Sequence, residues 1–199
     1  MITDAVLQKR KLRQELRAAV KGISVEQRRE WSGAACALLR EQRVWQAARS
    51  VLLYAPLDDE LDLQPLAREA LAAGKTVALP RYLPESRSYA AFEVRDLIQD
   101  CAPGSFGIIE PAAGCANIPM NHLDLVIVPG IGFDSQGYRL GRGRGYYDRL
   151  LADVTGVKCG VAFEQQMTGQ LPTESHDVRM DCILTPLRWL EITRSNHII

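Results

Sequence analysis

Two short apolar segments enclose an amphipathic one early in the chain, and this order sharply restricts the possible folds. The first segment, Ser50–Ala55, is almost wholly apolar and ends at a proline. An apolar run of this length is typical of a strand buried on both faces. Residues 64–73 have helical periodicity before a glycine, and Thr76–Leu79 forms a second apolar run before another proline. A strand, a helix and a strand in this order predict a parallel crossover.

Further segments continue the alternation of helices and strands. Helices are predicted at residues 4–22 and 24–43, and strands at residues 89–94, 123–128, 157–163 and 181–184. The pattern predicts one α/β domain over residues 1–199, with three α/β/α layers and a mostly parallel central sheet. Ligands of such folds bind at the carboxyl ends of the strands, so the loops after Ala55, Leu79 and Val128 are candidate site loops.

The composition excludes several classes of protein. The chain has 24 basic and 24 acidic side chains among 199 residues, so its net charge favours neither nucleic acid nor anionic lipid. No apolar run approaches the length of a membrane span, and the charged N-terminal segment argues against export. Neither the cysteines nor the histidines have metal-ligand spacing; the histidines are His122, His176 and His197. We therefore expect a cytoplasmic globular protein.

The most distinctive segment, residues 129–149, alternates glycine with arginine and then reaches two tyrosines. Gly141, Gly143 and Gly145 permit positive φ angles and a close approach of the backbone to a ligand. The N–H groups of such a loop, together with the start of a helix near Tyr146, suit phosphate oxygens. The arginines add planar guanidinium groups that bind phosphate through paired hydrogen bonds. The segment therefore indicates phosphate binding.

The spacing alone leaves other interpretations open. The segment contains neither GxxxxGK[ST] nor GxGxxG, so it is not one of the common nucleotide-binding loops. A solvated hairpin of arginine and glycine, or an RNA-binding segment, has a similar composition. Zero net charge and the lack of a longer basic and aromatic stripe weigh against RNA.

Residues 129–149 also resemble the signature of the 5-formyltetrahydrofolate cyclo-ligase family, which is approximately PGxxFDxxGxRLGxGxGYYDR. Every fixed position of that pattern is filled. Weaker landmarks follow the family order, so the resemblance covers nearly the whole chain. They are the basic segment Lys9–Arg13, Asp59 with Glu60, Leu79–Arg81, Gly107 with Glu110 and Pro111, and Asp181.

The resemblance implies a Rossmann-like fold, similar to that of CoA transferases, and a monomeric enzyme without nucleic-acid or membrane partners. Family members convert 5-formyltetrahydrofolate to 5,10-methenyltetrahydrofolate, consuming ATP with Mg²⁺ and releasing ADP and phosphate. Transfer of the γ-phosphoryl group to the formyl oxygen makes that oxygen a leaving group, so that N10 can attack and phosphate can depart. Such catalysis depends on positioning and on neutralising phosphoryl charge.

The resemblance also implies roles for individual residues. ATP is expected to contact the first helix and the glycine-rich loop, at Lys9, Arg10, Lys11, Leu12, Arg13, Arg139, Leu140, Gly141, Arg142, Gly143, Arg144, Gly145, Tyr146 and Tyr147. Folate is expected to contact Pro56, Glu60 and Tyr147, catalysis to involve Arg144 and Tyr147, and Mg²⁺ to bind Asp148 and Asp181.

Plainer interpretations accompany these roles. The first-helix cations also fit a solvated basic face, and Asp148 also fits an aspartate that complements a helix dipole. Asp181 also fits an aspartate at a strand edge, and Glu60 a turn carboxylate beside Asp58 and Asp59. A folate- or nucleotide-binding regulator without turnover is the main competing function.

Overall fold

The computed structural model describes residues 4–174 and 177–193. Five α-helices lie in these ranges: α1 (Asp4–Lys21), α2 (Val25–Arg40), α3 (Arg43–Ala47), α4 (Gln64–Ala72) and α5 (Tyr146–Leu151). The strands are β1 (Ser50–Leu52), β2 (Thr76–Leu83), β3 (Ser88–Val94), β4 (Cys101–Pro103), β5 (Ile109–Pro111), β6 (Asn117–Ile118), β7 (Leu125–Pro129), β8 (Gly132–Asp134), β9 (Arg139–Leu140), β10 (Val157–Val161), β11 (Met167–Thr168), β12 (Cys182–Leu184) and β13 (Trp189–Glu191). Short 3-10 helices span Met120–His122 and Glu164–Gln166. None of the helices in this part of the chain is long and apolar enough to cross a membrane.

Eight strands form the central sheet, in the order β13-β12-β10-β7-β1-β2-β3-β6. The five neighbours from β12 to β2 are mutually parallel, whereas β13, β3 and β6 pair antiparallel at the two edges. The predicted crossover from β1 through α4 to β2 is present, with Ser50 opposite Thr76. The prediction of a mostly parallel sheet is therefore confirmed.

Apolar side chains cover both faces of this sheet, because successive residues of a strand point to opposite sides. In β7, Leu125 and Ile127 pack in the cluster that contains residues of α2, α3 and α4. Val126 and Val128 pack on the other face, in the cluster that contains residues of α5. The layers are thus helix, sheet and helix, as predicted.

The second helix is shorter than its sequence pattern predicts. Ser24 caps α2 by accepting a hydrogen bond from the N–H of Gln27 at 3.1 Å. The helix ends at Arg40 because Gln42 adopts an extended conformation, with φ −77° and ψ 135°. A separate helix, α3, then carries the buried Trp45.

Strand β2 continues past the proline at which the sequence predicted its end. Strand β1 pairs with β2 only as far as Ala78, so the backbone beyond that residue pairs with β3 alone. A proline is tolerated in a strand where one side has no ladder partner. Pro80 therefore lies inside β2, opposite Ala91, and the strand extends to Leu83. This extension builds one wall of the candidate site.

A small apolar cluster joins α1 to the glycine-rich segment. Its buried members are Leu16, Ile131, Leu140 and Leu171, and Leu12 packs against them. Gly132 permits this approach, since a Cβ atom at that position would clash with the Leu16 side chain. The basic helix is thereby held beside the loop that follows β7.

Candidate active site

A cavity of about 550 Å³ opens where the central parallel strands end. Ala55 follows β1, Pro80 lies in the extension of β2, and Pro129 ends β7; all three residues line the cavity. The remaining walls come from α1, the segment around β5, and the glycine-rich loop with the start of α5. Its position agrees with the general location of ligands at the carboxyl ends of parallel strands.

The glycine-rich loop has a backbone that requires glycine. Gly143 and Gly145 have φ angles of 99° and 64°, a region that side-chain-bearing residues rarely adopt. Gly145 immediately precedes α5 in this left-handed conformation. A Cβ atom on Gly141 would lie 2.7 Å from the guanidinium of Arg139. The alternating glycines therefore turn the chain and leave room for arginine side chains against it.

Arg139 and Asp148 form the most buried ion pair of the loop. Arg139 Nη2 lies 2.8 Å from Asp148 Oδ1, and the two side chains are 4% and 18% exposed. The same guanidinium lies 5.4 Å from the centre of the Tyr147 ring. The pair fixes the first turn of α5 to the strand β9, and both side chains line the cavity.

Arg142 connects the glycine-rich loop to the turn after β1. Its Nη2 donates a hydrogen bond to Asp59 Oδ1 at 2.7 Å and to Glu60 Oε1 at 3.0 Å. The Glu60 side chain is 9% exposed, and its Oε2 accepts a hydrogen bond from the N–H of Leu57. Burial raises the pKa of Glu60, and the positive charge of Arg142 opposes that shift. Glu60 is thus a buried carboxylate in the cavity wall.

Aromatic rings continue from Glu60 along the cavity. Burial raises the pKa of the Tyr147 hydroxyl, and the charge of Glu60 adds to this effect. The Tyr147 ring lies 6.0 Å from Tyr89, and Tyr89 lies 5.6 Å from Tyr82. Tyr82 in turn lies 4.9 Å from Phe106. We call these four rings the aromatic row; Tyr147, Tyr89 and Phe106 line the cavity and offer flat surfaces to a long ligand.

Two cations of α1 face the cavity from the opposite side. Lys9 is buried, and its Nζ lies 2.8 Å from Glu174 Oε2 and 2.9 Å from Asp177 Oδ2. Burial lowers the pKa of Lys9, but its hydrogen bonds to the two carboxylates raise it overall. Arg13 Nε donates to the carbonyl of Gly141 at 2.9 Å. Positive charge is therefore fixed on both sides of the loop.

Arg144 differs from the other loop arginines, because it forms no ion pair with any residue in the described ranges. Its Nη1 lies 3.4 Å from the Tyr146 hydroxyl oxygen, and its guanidinium carbon lies 5.5 Å from the centre of the Phe106 ring. The side chain is exposed at the cavity mouth. Arg144 is thus a cation whose charge is not already balanced by an acidic side chain.

Four of the residues predicted to bind ligand do not line the cavity. Arg10 and Lys11 lie on the exposed face of α1, where Lys11 approaches Glu15 at 3.7 Å. Leu12 packs in the apolar cluster that anchors α1. At the turn after β1, Ala55 and Leu57 line the cavity, whereas Pro56 does not. The geometry of Arg10 and Lys11 agrees with the plainer interpretation of a solvated basic face. Leu12 is a packing residue.

Asp181 lies at the opposite edge of the sheet from Asp148. It precedes β12, and its Oδ2 accepts a hydrogen bond from the N–H of Lys158 at 2.9 Å, with Lys158 Nζ at 3.1 Å. Its neighbours in a second surface depression include Asp124, which also precedes a parallel strand. The two aspartates predicted to share a metal ion are therefore not brought together, and Asp181 is a carboxylate at a strand edge.

Of the two aspartates predicted to bind a metal ion, Asp148 lines the cavity. Within residues 4–174 and 177–193, no three His, Cys, Asp or Glu side chains are arranged to hold a metal. Mg²⁺ usually keeps several waters and takes one or two protein carboxylates together with phosphate oxygens. Asp148 lies beside the loop and would be that carboxylate. Of the histidines, His122 lies at the amino edge, and His176 and His197 lie outside the described residues.

Several cavity residues were not predicted as site residues. They are Tyr54, Tyr89, Phe106, Glu110, Glu174 and Asp177. Glu110 was noted only as part of a weak landmark, and Asp59 only as a neighbour of Glu60. The sequence offered one indication for Tyr89 and Glu110: both lie in short segments that follow β2, one of the strands whose ends were predicted to face the ligand. Glu174 and Asp177 had none, because their pairing with Lys9 depends on how distant segments meet.

Comparisons with known proteins agree with this geometry. Residues 5–186 match the model of the 5-formyltetrahydrofolate cyclo-ligase family. The chain is 30% identical to the mouse 5-formyltetrahydrofolate cyclo-ligase over 88% of its own length and 92% of the relative. It is 31% identical to the Escherichia coli K12 protein of the same name, over 86% and 96% of the two chains.

Solved structures give the same result. The Aquifex aeolicus 5,10-methenyltetrahydrofolate synthetase superposes with a TM-score of 0.81 at 33% identity, covering 96% of this chain and 99% of that one. The Mycoplasma pneumoniae synthetase shares the fold, with a TM-score of 0.71 at 22% identity over 89% and 98% of the chains. The family resemblance of residues 129–149 is thus confirmed over most of the sequence. The chain belongs to the 5-formyltetrahydrofolate cyclo-ligase family.

Proposed function

We propose that this chain converts 5-formyltetrahydrofolate to 5,10-methenyltetrahydrofolate, with hydrolysis of ATP to ADP and phosphate. One observation carries the proposal: the carboxylate of Glu60, three rings of the aromatic row and a set of fixed cations line the same cavity. The first set suits a pteridine ring, and the second suits a triphosphate. A reaction that joins these two ligands needs both surfaces within reach of each other.

The pterin end of the substrate would lie against Glu60 and Tyr147. A carboxylate accepts paired hydrogen bonds from the amino and ring N–H groups of a pterin, and these bonds are strong because the acceptor is charged. The ring of Tyr147 would stack against the bicyclic system. In this arrangement Arg142 would be shared between Glu60 and the incoming nucleotide.

The triphosphate would lie between α1 and the glycine-rich loop. Lys9, Arg13, Arg139 and Arg144 would neutralise the charge that moves during transfer of the γ-phosphoryl group to the formyl oxygen. Asp148 would hold a magnesium ion carried by the nucleotide, and that ion would supply positive charge against the phosphates. Attack by N10 on the activated carbon then breaks its bond to the former formyl oxygen, which leaves as part of phosphate, and the N10 proton passes to the phosphate or to water. No covalent enzyme intermediate is required.

Absorbance tests the proposal directly, since the methenyl product has a near-ultraviolet band that the substrate lacks. Purified protein should produce that band with ATP, Mg²⁺ and 5-formyltetrahydrofolate, and should fail without ATP or Mg²⁺. Ligand-induced thermal stabilisation without the band would favour a binding protein instead. Salt-sensitive RNA binding without the band would favour the RNA interpretation. The single domain over residues 1–199, the monomeric state and the cytoplasmic location stay predictions.

A further inference from the structure

A second buried carboxylate, Glu110, lies in the cavity wall beyond the aromatic row. It belongs to β5, it lines the cavity, and it is 5% exposed. Its Oε2 accepts a long hydrogen bond, at 3.3 Å, from the N–H of Tyr82. Its Oε1 is buried and has no hydrogen-bond partner among the described residues. A buried carboxylate oxygen without a donor is costly, so this oxygen requires an explanation.

Neighbouring cations do not neutralise Glu110. The charge of Arg81 opposes the rise in the pKa of Glu110. Its guanidinium, however, donates to the carbonyl of Ala112 at 2.6 Å and lies 3.4 Å from the centre of the Phe92 ring. Glu110 forms no ion pair with any residue of the described ranges, and burial raises its pKa. The carboxylate also packs against Gly104, where a Cβ atom would overlap it. Its place in the wall is therefore fixed while its charge is poorly compensated.

The aromatic row links Glu110 to Glu60. Tyr147 and Glu60 lie at one end of the row, since the charge of Glu60 raises the pKa of Tyr147. Phe106 lies at the other end, and Glu110 lies near it, since its Oε2 accepts a hydrogen bond from the N–H of Tyr82, the neighbour of Phe106 in the row. A ligand that lies along the row thus meets one carboxylate near each end. Reduced folates are elongated and carry N–H groups both on the pterin and on the p-aminobenzoyl arm.

We infer that Glu110 is a second substrate-contacting carboxylate, which accepts a hydrogen bond from an N–H group on the p-aminobenzoyl arm of the folate. The inference rests on the proposed function, because that function supplies the folate. A pterin held by Glu60 and Tyr147 directs its arm along Tyr89 toward Phe106 and Glu110, which line the same cavity. The contact gives the carboxylate a donor besides the N–H of Tyr82 and selects for a substrate with a polar N–H at this position.

ATP fits this end of the cavity less well. Phosphate oxygens would be repelled by the charge of Glu110, and four of the cavity cations, Lys9, Arg13, Arg139 and Arg142, lie in α1 and the glycine-rich loop. Arg144 is the loop cation nearest to Phe106, at 5.5 Å, and it marks where the two ligands would meet. The two glutamates therefore contact different parts of the folate: Glu60 binds the pterin, and Glu110 binds the p-aminobenzoyl arm.

Calorimetric titration tests the contact without depending on turnover. The probes are 5-formyltetrahydrofolate and 5-formyltetrahydropterin, which lacks the p-aminobenzoyl arm. Glu110→Gln should weaken binding of the whole folate about tenfold, since a neutral acceptor is weaker than a charged one, and Glu110→Leu about a hundredfold. The affinity for 5-formyltetrahydropterin and for ATP should stay unchanged. Glu85→Gln removes an exposed carboxylate from the adjacent β2–β3 turn and serves as the matched control.

Three outcomes would overturn the inference: unchanged folate affinity in Glu110→Gln, an equal loss of affinity for the armless pterin, or a loss confined to ATP. A purely structural Glu110 would lower the melting temperature and leave the ratio of the two pterin affinities unchanged. If Glu110→Leu fails to fold, the Glu110→Gln titration alone decides. Absence of the methenyl band from the wild type would instead contradict the proposed function, and the titration would still test the contact.

Discussion

The Arg142 guanidinium lies 3.0 Å from Glu60 Oε1, although 82 residues separate the two positions in the chain. The same nitrogen lies 2.7 Å from Asp59 Oδ1. The glycine-rich loop is thereby tied to the turn after β1, and the proposed nucleotide surface touches the proposed pterin surface at this contact. Substitutions on the pterin surface should therefore change mainly the KM for folate, and substitutions on the nucleotide surface mainly the KM for ATP.

Glu60→Gln should raise the KM for 5-formyltetrahydrofolate about tenfold to a hundredfold and change the KM for ATP much less. The charged acceptor of the pterin N–H groups is lost, and hydrogen bonds to charged groups contribute about 1.5–3 kcal/mol. Steady-state kinetics with each substrate varied in turn measures the effect. Asp58→Asn, at an exposed position in the same turn, should leave both values unchanged. Equal effects of the two substitutions would contradict the role of Glu60.

Tyr147→Ala should impair folate use severely, whereas Tyr147→Phe should keep most of the activity. The half-buried ring lines the cavity and is the proposed stacking surface, and the hydroxyl has a pKa raised by burial, so that it stays protonated at neutral pH. The comparison of kcat and KM for the two variants separates the ring from the hydroxyl. Loss of activity in Tyr147→Phe would instead show that the reaction requires the hydroxyl group of Tyr147.

Arg144→Ala should raise the KM for ATP and lower kcat by about two orders of magnitude, the usual effect of removing one group that stabilises the transition state. The reason is that its charge is not balanced by an acidic neighbour, so it remains available to phosphate. Arg10→Ala, on the exposed face of α1, is the control and should behave as wild type. A normal KM for ATP and a normal kcat in Arg144→Ala would exclude it from the phosphate site.

Asp148→Asn should increase the Mg²⁺ concentration needed for half-maximal activity, and Asp181→Asn should not. Asp148 lines the cavity, whereas Asp181 lies at the amino ends of the strands beside Lys158. Magnesium titrations at saturating ATP measure the difference. A raised magnesium requirement in Asp181→Asn alone would reverse our assignment of the two aspartates.

Lys9→Met should lower the free energy of unfolding by about 1–3 kcal/mol, because it leaves Asp177 and Glu174 without their shared cation; the partial exposure of Glu174 limits the loss. Urea denaturation measures it, with Lys11→Met as the exposed control. The pKa of Lys9 is raised in the folded protein, so its stabilisation is complete below the ordinary lysine value of about 10.4 and disappears as the pH rises through the folded value. The variant and the wild type should therefore converge in stability only at alkaline pH.

The sequence predicted the parallel core well, because continuous apolar runs such as Leu125–Val128 lie between proline and glycine residues that end strands. It also predicted that the loops after β1, β2 and β7 would meet. It did not predict that β2 continues through Pro80, since that depends on where β1 ends. Nor did it predict β13, a short antiparallel edge strand without a strong apolar pattern.

The sequence indicated most of the basic residues of the candidate site but only some of its acidic residues. The arginines of residues 139–144 were visible because alternating glycines surround them. Arg139 pairs with Asp148 of the same segment, whereas only the folded topology brings Asp59 and Glu60 to Arg142. Asp181 precedes a parallel strand, and a residue in that position lies at the edge opposite to the usual ligand side, so the topology does not favour it as a metal ligand.

The ion pair of Lys9 with Asp177 spans 168 residues of the chain. During synthesis, therefore, the first helix has no Asp177 to pair with until a further 168 residues have been added. Truncated or half-translated chains would present a bare lysine and no complete pocket, so they would not sequester folate. Once the pocket is complete, bound ligand stabilises the finished fold by mass action, and resistance to proteolysis should rise with the supply of substrate.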